Sequence, residues 1–211
     1  MNIIRFTKEQ MALIKERDPA MKSKWEVFLY PSYRAMLAYQ RSHRLYLKGK
    51  FVRARKISQR SAHRTGIEIH PGATIGKNLF IDHGHGVVIG ETTVIGDNVL
   101  LYQGVTLGGN GKEQGKRHPT IGNNVMISVG AKVLGSFTIG DNSKIGAGAV
   151  VLQEVPPNST VVGVPGHVVK RDNVRVPASD LDQIHLPDPV QAEIDQIKEE
   201  LKLLLERTSE K

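Results

Sequence analysis

Between Ile69 and Val151 an aliphatic residue returns every sixth position, in three blocks. The first is Ile69, Ile75, Ile81 and the second Ile89, Ile95, Leu101, Leu107; the third runs through Ile121, Ile127, Val133, Ile139, Ile145 and Val151. Glycine often follows the aliphatic, as in Ile75-Gly76, Ile95-Gly96 and Ile139-Gly140. An amphipathic helix would repeat at three and four, and a single strand at two. A sustained period of six predicts a parallel β-helix, each hexad being one short strand and one turn with its aliphatic pointing inward. Glycine and asparagine then take the turn conformations that a Cβ disfavours.

The flanks follow other rules. Thr7 with Gln10 predicts a capping box for a helix ending near Asp18-Pro19, and Pro31 a helix start running to about Lys48-Gly49. A third, basic helix is expected from Phe51 to about His63. Beyond the repeats, Pro156-Pro157, Pro165-Gly166 and Pro177 mark an exit and linker. A last helix is predicted from Asp188-Pro189, with Val190, Ile194, Ile197, Leu201 and Leu204 forming a short seam that suits either a symmetric oligomer or packing on its own subunit. Three regions result: a helical 1–65, a β-helical 66–170, and a linker with helix over 171–211.

Composition sharpens this division. The net charge of +8 comes from the first region: residues 1–65 hold 16 Lys+Arg against 4 Asp+Glu, residues 66–211 hold 13 against 17. The basic run Arg53, Arg55, Lys56, Arg60, Arg64 reads first as a solvated face, next as a site for a phosphorylated ligand; no motif supports nucleic acid. Only 5% of residues are aromatic, which suits a thin core of Ile, Val and Ala. There is no cysteine, so thiolate metal sites are excluded. Neither a signal sequence nor a membrane span is expected, and a cytoplasmic protein is the default.

The repeat fails twice, and polar residues gather at both failures. From Ile81 to Ile89 the step is eight, across Asp82-His83-Gly84-His85-Gly86. From Leu107 to Ile121 it is fourteen, across Gly108-Gly109-Asn110-Gly111-Lys112-Glu113-Gln114-Gly115-Lys116-Arg117-His118-Pro119. A glycine-rich loop ending in Arg-His is costly to order and adds nothing to packing, so it is expected to close on a ligand.

Taken in order, Gly66-Ile67-Glu68-Ile69-His70-Pro71, Ile81-Asp82-His83, Gly90-Glu91-Thr92, Gly104-Val105-Thr106-Leu107-Gly108-Gly109, Arg117-His118-Pro119 and Gly163-Val164-Pro165 closely resemble the serine O-acetyltransferases, trimeric left-handed β-helix enzymes. The resemblance covers about residues 15–170 and includes Asp18-Pro19-Ala20 and Leu37-Ala38-Tyr39-Gln40-Arg41. It implies transfer of acetyl from acetyl-CoA to L-serine, the first step of cysteine biosynthesis from serine, with His83 as general base and Glu68 as its acidic partner. Better-known members carry aspartate where Glu68 stands. It further implies Arg117 and His118 at the serine carboxylate, and Asp18 and Asp82 near its ammonium group. Gly109, Val129, Lys144 and Ala147 match positions lining the acetyl-CoA groove between subunits. No metal is expected. L-Cysteine is the feedback inhibitor the resemblance suggests, and a homotrimer is favoured over a hexamer because the chain begins too late for the whole pairing region of longer members. Its end, Thr208-Ser209-Glu210-Lys211, lacks the terminal isoleucine with which members dock onto the next enzyme. His85 receives no role, and His70 a structural one.

Three other readings compete. A different acceptor, homoserine or a sugar, would use the same machinery. A zinc carbonic anhydrase would draw on His83, His85 and His118, but the motif order and the charge of Arg117 oppose it. A non-catalytic β-helix scaffold whose basic helices bind a partner would leave the His83 and loop constellation unused.

Overall fold

In the computed structural model, which describes residues 3–111, 114–171, 197–198 and 202, three helices precede the β-helix. Helix α1 spans Ile3–Arg17, α2 Pro31–Leu47 and α3 Phe51–Thr65. Pro31 opens α2 as expected, because its fixed φ and missing N–H suit a first turn. The expected cap at Thr7 is corrected: α1 has already begun, and Thr7 Oγ1 bonds to the Ile3 carbonyl and to Tyr33 Oη. The capping box that does form is Ser23 with Glu26, opening a 3₁₀ turn over Lys24–Phe28. Gly66, at φ 70°, ends α3 and turns the chain into the first strand.

The strands come in triplets. The first coil contributes β1 (Ile67–Ile69), β2 (Thr74–Ile75) and β3 (Phe80–Ile81); the second β4 (Val87–Ile89), β5 (Val94–Ile95) and β6 (Leu100–Leu101). The third has β7 (Thr106–Gly108), β8 (Thr120–Ile121) and β9 (Met126–Ile127), and the fourth β10 (Lys132–Leu134), β11 (Thr138–Ile139) and β12 (Lys144–Ile145). The last pieces are β13 (Val150–Val151), β14 (Ser159–Val162) and β15 (His167–Arg171). Every third strand pairs in parallel, which makes three faces: β1-β4-β7-β10-β13, β2-β5-β8-β11 and β3-β6-β9-β12-β14. The solenoid does not stop at Pro156-Pro157: β14 adds to β12, and β15 folds back on β14 antiparallel, ending the stack. A free end would present unpaired strand edges, so a stacked array needs such a cap.

The six-residue aliphatics fill the interior. From Ile89 to Val151 all ten are at most 2% exposed. Ile75, at the outer end of the first coil, is only half-buried. A second buried position lies two residues before the aliphatic: Ala73, Leu79, Val99, Val105, Val125, Ala131, Ala149. One corner carries Asn78, Asn98, Asn124, Asn142 and Asn158, all at φ between 55° and 59°, with each side-chain amide donating to the next at 2.8–3.2 Å. Helix α2 is seated on the first coils by Tyr39 Oη donating to the Ala73 carbonyl and His43 Nδ1 donating to that of Pro71, both at 2.7 Å.

Among the described residues no helix is long and apolar enough to cross a membrane. Of the seam expected in the last helix, only Ile197 is among the described residues, and it is helical, as are Lys198 and Lys202; Val190, Ile194, Leu201 and Leu204 lie outside the described residues.

Candidate active site

The eight-residue step resolves into an insertion at one corner. Strand register aligns Gly86 with Gly104, Gly130 and Gly148, and Ile81 with Leu101, so the extra pair is His83-Gly84. His83 sits at φ 54° and is exposed. Every other non-glycine residue described at positive φ is an asparagine of the corner ladder. Left-handed backbone on a histidine costs about 1 kcal/mol and persists only where the surroundings dictate it, so His83 departs from the repeat's own logic.

Three groups gather beside it. Asp82 is half-buried, and its carboxyl is pushed up by burial, against the pull of neighbouring His83; Asp18 pushes it further up. Asp18 is held on both oxygens, Oδ1 by the Ala20 amide at 2.7 Å and Oδ2 by the Tyr30 hydroxyl at 2.6 Å. The Tyr30 phenol is pushed well above its ordinary range by burial and then by Asp18. A carboxyl raised in part by a neighbouring carboxylate is relieved by a cation beside the two, which is the chemistry of an ammonium pocket. Tyr30 escaped the sequence reading because it lies 12 residues from Asp18 in a segment without a motif.

The fourteen-residue step lies at a different corner, between the first and second faces. There Arg117 Nη2 donates to Glu91 Oε2 at 2.8 Å, and Tyr46 Oη donates to Glu91 Oε1 at 2.9 Å. Tyr46 is the leading cause that holds the Glu91 carboxyl below the usual range, with His70 and Arg117 adding to it. Thr92 organises the rest. Its Oγ1 accepts from the amides of Arg117 (3.0 Å) and His118 (3.1 Å), so its own hydrogen is directed to His118 Nδ1 at 2.9 Å; the Thr92 amide also donates to Nδ1, at 3.2 Å. An Nδ1 that accepts twice carries no proton. His118 is therefore the neutral tautomer with Nε2–H outward as a donor. It is buried, 8% exposed, and burial first, then Arg117, lowers its pKa. A Cβ on Gly90 would lie 1.9 Å from His118 Cδ2, so the ring fits only because residue 90 is glycine. Arg117 and His118 thus present a cation and a neutral N–H together, suited to a carboxylate. Glu91 and Thr92 were given no role in the sequence and were signalled only by the Gly90-Glu91-Thr92 motif; Tyr46 carried no signal at all.

The His118 tautomer is open to direct measurement. Nitrogen-15 NMR is expected to show Nε2 protonated and Nδ1 bare at neutral pH, persisting below the ordinary histidine pKa of about 6.5. Because the folded value is lowered, this stabilisation is present above the unfolded pKa and is lost as pH falls through the folded one. Thr92→Val is expected to mix the tautomers; an unchanged spectrum in that variant would remove Thr92 from this role.

The remaining expected residues are dispersed. Glu68, in the middle of β1, accepts from Gln59 Nε2 at 3.4 Å and stands 4.0 Å from Arg55; it makes no hydrogen bond to His83. Val129 and Ala147 fall into one column with His85 and Gln103 down the His83 corner. Gln103 Oε1 in that column is buried without a partner. Lys144 lies on β12, and Gly109 is exposed at the start of the long loop, where a Cβ would press on Arg117 at 3.0 Å. No cluster of three or more His, Cys, Asp or Glu suited to a metal occurs among the described residues.

The chain is similar to known proteins along most of its length. A family profile described as "Bacterial transferase hexapeptide (six repeats)" matches residues 118–153. A serine acetyltransferase of Staphylococcus aureus (strain MSSA476) is 55% identical over 203 residues, 96% of this chain and 94% of that protein. Among solved structures, Neisseria gonorrhoeae serine acetyltransferase in complex with serine superposes with a TM-score of 0.75 at 44% identity, covering 80% of this chain and 69% of that one. A serine acetyltransferase in complex with cysteine gives 0.81 at 39%, covering 86% and 71%. The Brucella abortus strain S19 enzyme in complex with coenzyme A gives 0.76 at 40%, covering 80% and 68%.

Proposed function

We propose, from the premise that this chain belongs to the serine acetyltransferases, that its active site is assembled from two corners of the β-helix contributed by neighbouring subunits. The reaction moves the acetyl group of acetyl-CoA onto the hydroxyl of L-serine, giving O-acetyl-L-serine and CoA. The carrying observation is that Asp18 and Asp82, read as the ammonium pocket, and Arg117 and His118, read as the carboxylate pocket, lie at different corners of one prism. A face of three strand residues is already about 10 Å long, more than one serine spans. Packing the His83 corner of one chain against the Arg117 corner of the next, in a closed homotrimer, brings the halves together and repeats the site three times.

In this site His83 takes the proton from the serine hydroxyl as its oxygen attacks the thioester carbonyl carbon. The tetrahedral adduct collapses with rupture of the carbon–sulfur bond, and the imidazolium returns the proton to the departing CoA sulfur. Val129, Ala147, Gly109 and Lys144 line the acetyl-CoA groove, and the orphaned Gln103 Oε1 is an acceptor suited to a pantetheine amide. L-Cysteine carries the same ammonium and carboxylate groups as serine and inhibits by occupying the same two pockets; the related structures hold serine, cysteine and coenzyme A.

Glu68 is the acidic partner of His83 in this reading. To serve, its carboxylate leaves an exposed 4.0 Å contact with Arg55, which is worth little. Glu68→Gln is expected to keep serine affinity and lose turnover, while Glu68→Asp stays active. If Glu68→Gln raised only KM for serine, Glu68 would be a binding residue instead. The reading as a whole is tested by acetyl-CoA consumption with L-serine, L-homoserine and sugars. A clear preference for serine is expected, and a preference for either alternative overturns the acceptor assignment.

A further inference from the structure

From Val27 to Ile67 the chain carries ten Lys+Arg and no Asp or Glu. The fold sorts these charges onto two surfaces. Arg55 and Lys56 turn toward Tyr46 and His70, whereas Arg34 and Arg41 of α2 and Arg60 and Arg64 of α3 surround a separate cavity of about 350 Å³, floored by Leu37 and Ile57. Arg34 Nε donates to the Phe28 carbonyl at 2.8 Å. Among the described residues, Arg41, Arg60 and Arg64 have neither a hydrogen-bond partner nor a carboxylate.

A merely solvated helix face spreads its cations outward and interleaves acids at three and four residues. Four arginines that line one hollow with no acid among them concentrate positive charge there instead, and that repulsion is relieved by an anion. Each is a planar fork that matches phosphate oxygens two at a time. The cavity lies at the lower end of the usual small-molecule range of about 300–1,000 Å³, and its floor is apolar. We propose that this cleft binds a small polyanion with at least two phosphates beside an apolar or aromatic ring, of the nucleoside diphosphate class. Its lining includes none of Asp82, His83, Arg117 or His118, so it is separate from the acetyl-transfer site. A single concave hole without aromatic rings in its lining lacks the extended track and stacking platforms of a nucleic-acid groove.

Calorimetric titration of the full chain with ADP, free of metal, tests this. Saturable binding at a single site per chain is expected, weakening as salt is raised and not displaced by CoA. R41Q combined with R60Q is expected to weaken ADP by about tenfold or more, while serine acetylation stays unchanged and the melting temperature does not fall, since repulsion is relieved. R41K with R60K keeps the charge, loses the fork, and should fall between; it carries the comparison if the glutamine variant does not fold. Absence of saturable ADP binding overturns the proposal, as does equal affinity in the variants. Displacement of ADP by CoA overturns it too, by placing ADP in the acetyl-CoA groove. So does a duplex oligonucleotide that binds through these arginines when ADP does not.

Discussion

Replacing His83 with asparagine is expected to lower turnover by about 10²–10⁴-fold, the usual worth of a general base, while the protein melts at its normal temperature. Asparagine is the informative substitution because it already occupies every other non-glycine position described at positive φ, so the corner keeps its shape while the base is lost. His83→Ala is expected to lose the same activity, but its melt is less informative because alanine, like histidine, is strained by the left-handed backbone. Steady-state kinetics together with thermal melts separate the two effects. Near-normal turnover in His83→Asn would exclude this histidine as the base.

The second large effect is expected at Arg117. Loss of a hydrogen bond to a charged group is worth roughly 1.5–3 kcal/mol, so Arg117→Ala should weaken serine by about 10–150-fold with acetyl-CoA affinity retained. Arg117→Lys should recover only part of this, because Glu91 takes one donor of the guanidinium and an ammonium cannot meet both Glu91 and a substrate carboxylate in the same planar geometry. Calorimetry with L-serine, and with L-cysteine as a second ligand of the same pockets, measures the loss. Unchanged affinity for both would remove Arg117 from the carboxylate pocket.

The helical segment shows where local signals succeed and fail. Pro31 marked the start of α2 because proline constrains its own backbone wherever it stands. Thr7-Gln10 looked like a cap but lies inside α1, since a threonine side chain bonds as readily to the carbonyl four residues earlier. The unbroken hexad run ended at Val151, yet coiling continued through β14: after a step of four residues Val155 stacks on Ile139 and Val161 on Ile145, so the inward aliphatics persist although their spacing along the chain slips.

The six-residue period alone determined that the chain coils in parallel, which aliphatics face inward, and where the coil breaks, because a stacked solenoid imposes the same local demand on every turn. Both breaks gather polar residues that packing of the coil does not need, which is why they were expected to carry the chemistry. Only the tertiary structure decided what those breaks contain. It brought Tyr30 onto Asp18, set Thr92 and Glu91 behind His118 and Arg117, left Glu68 with Gln59 and Arg55, and put Asp18 and Asp82 at a different corner from Arg117 and His118. Such pairings join residues 9 to 45 positions apart through loop paths and helix packing, and no periodicity encodes them. The same holds for the arginines: their charge was plain in the sequence, but which four share a cavity depended on how α2 meets α3.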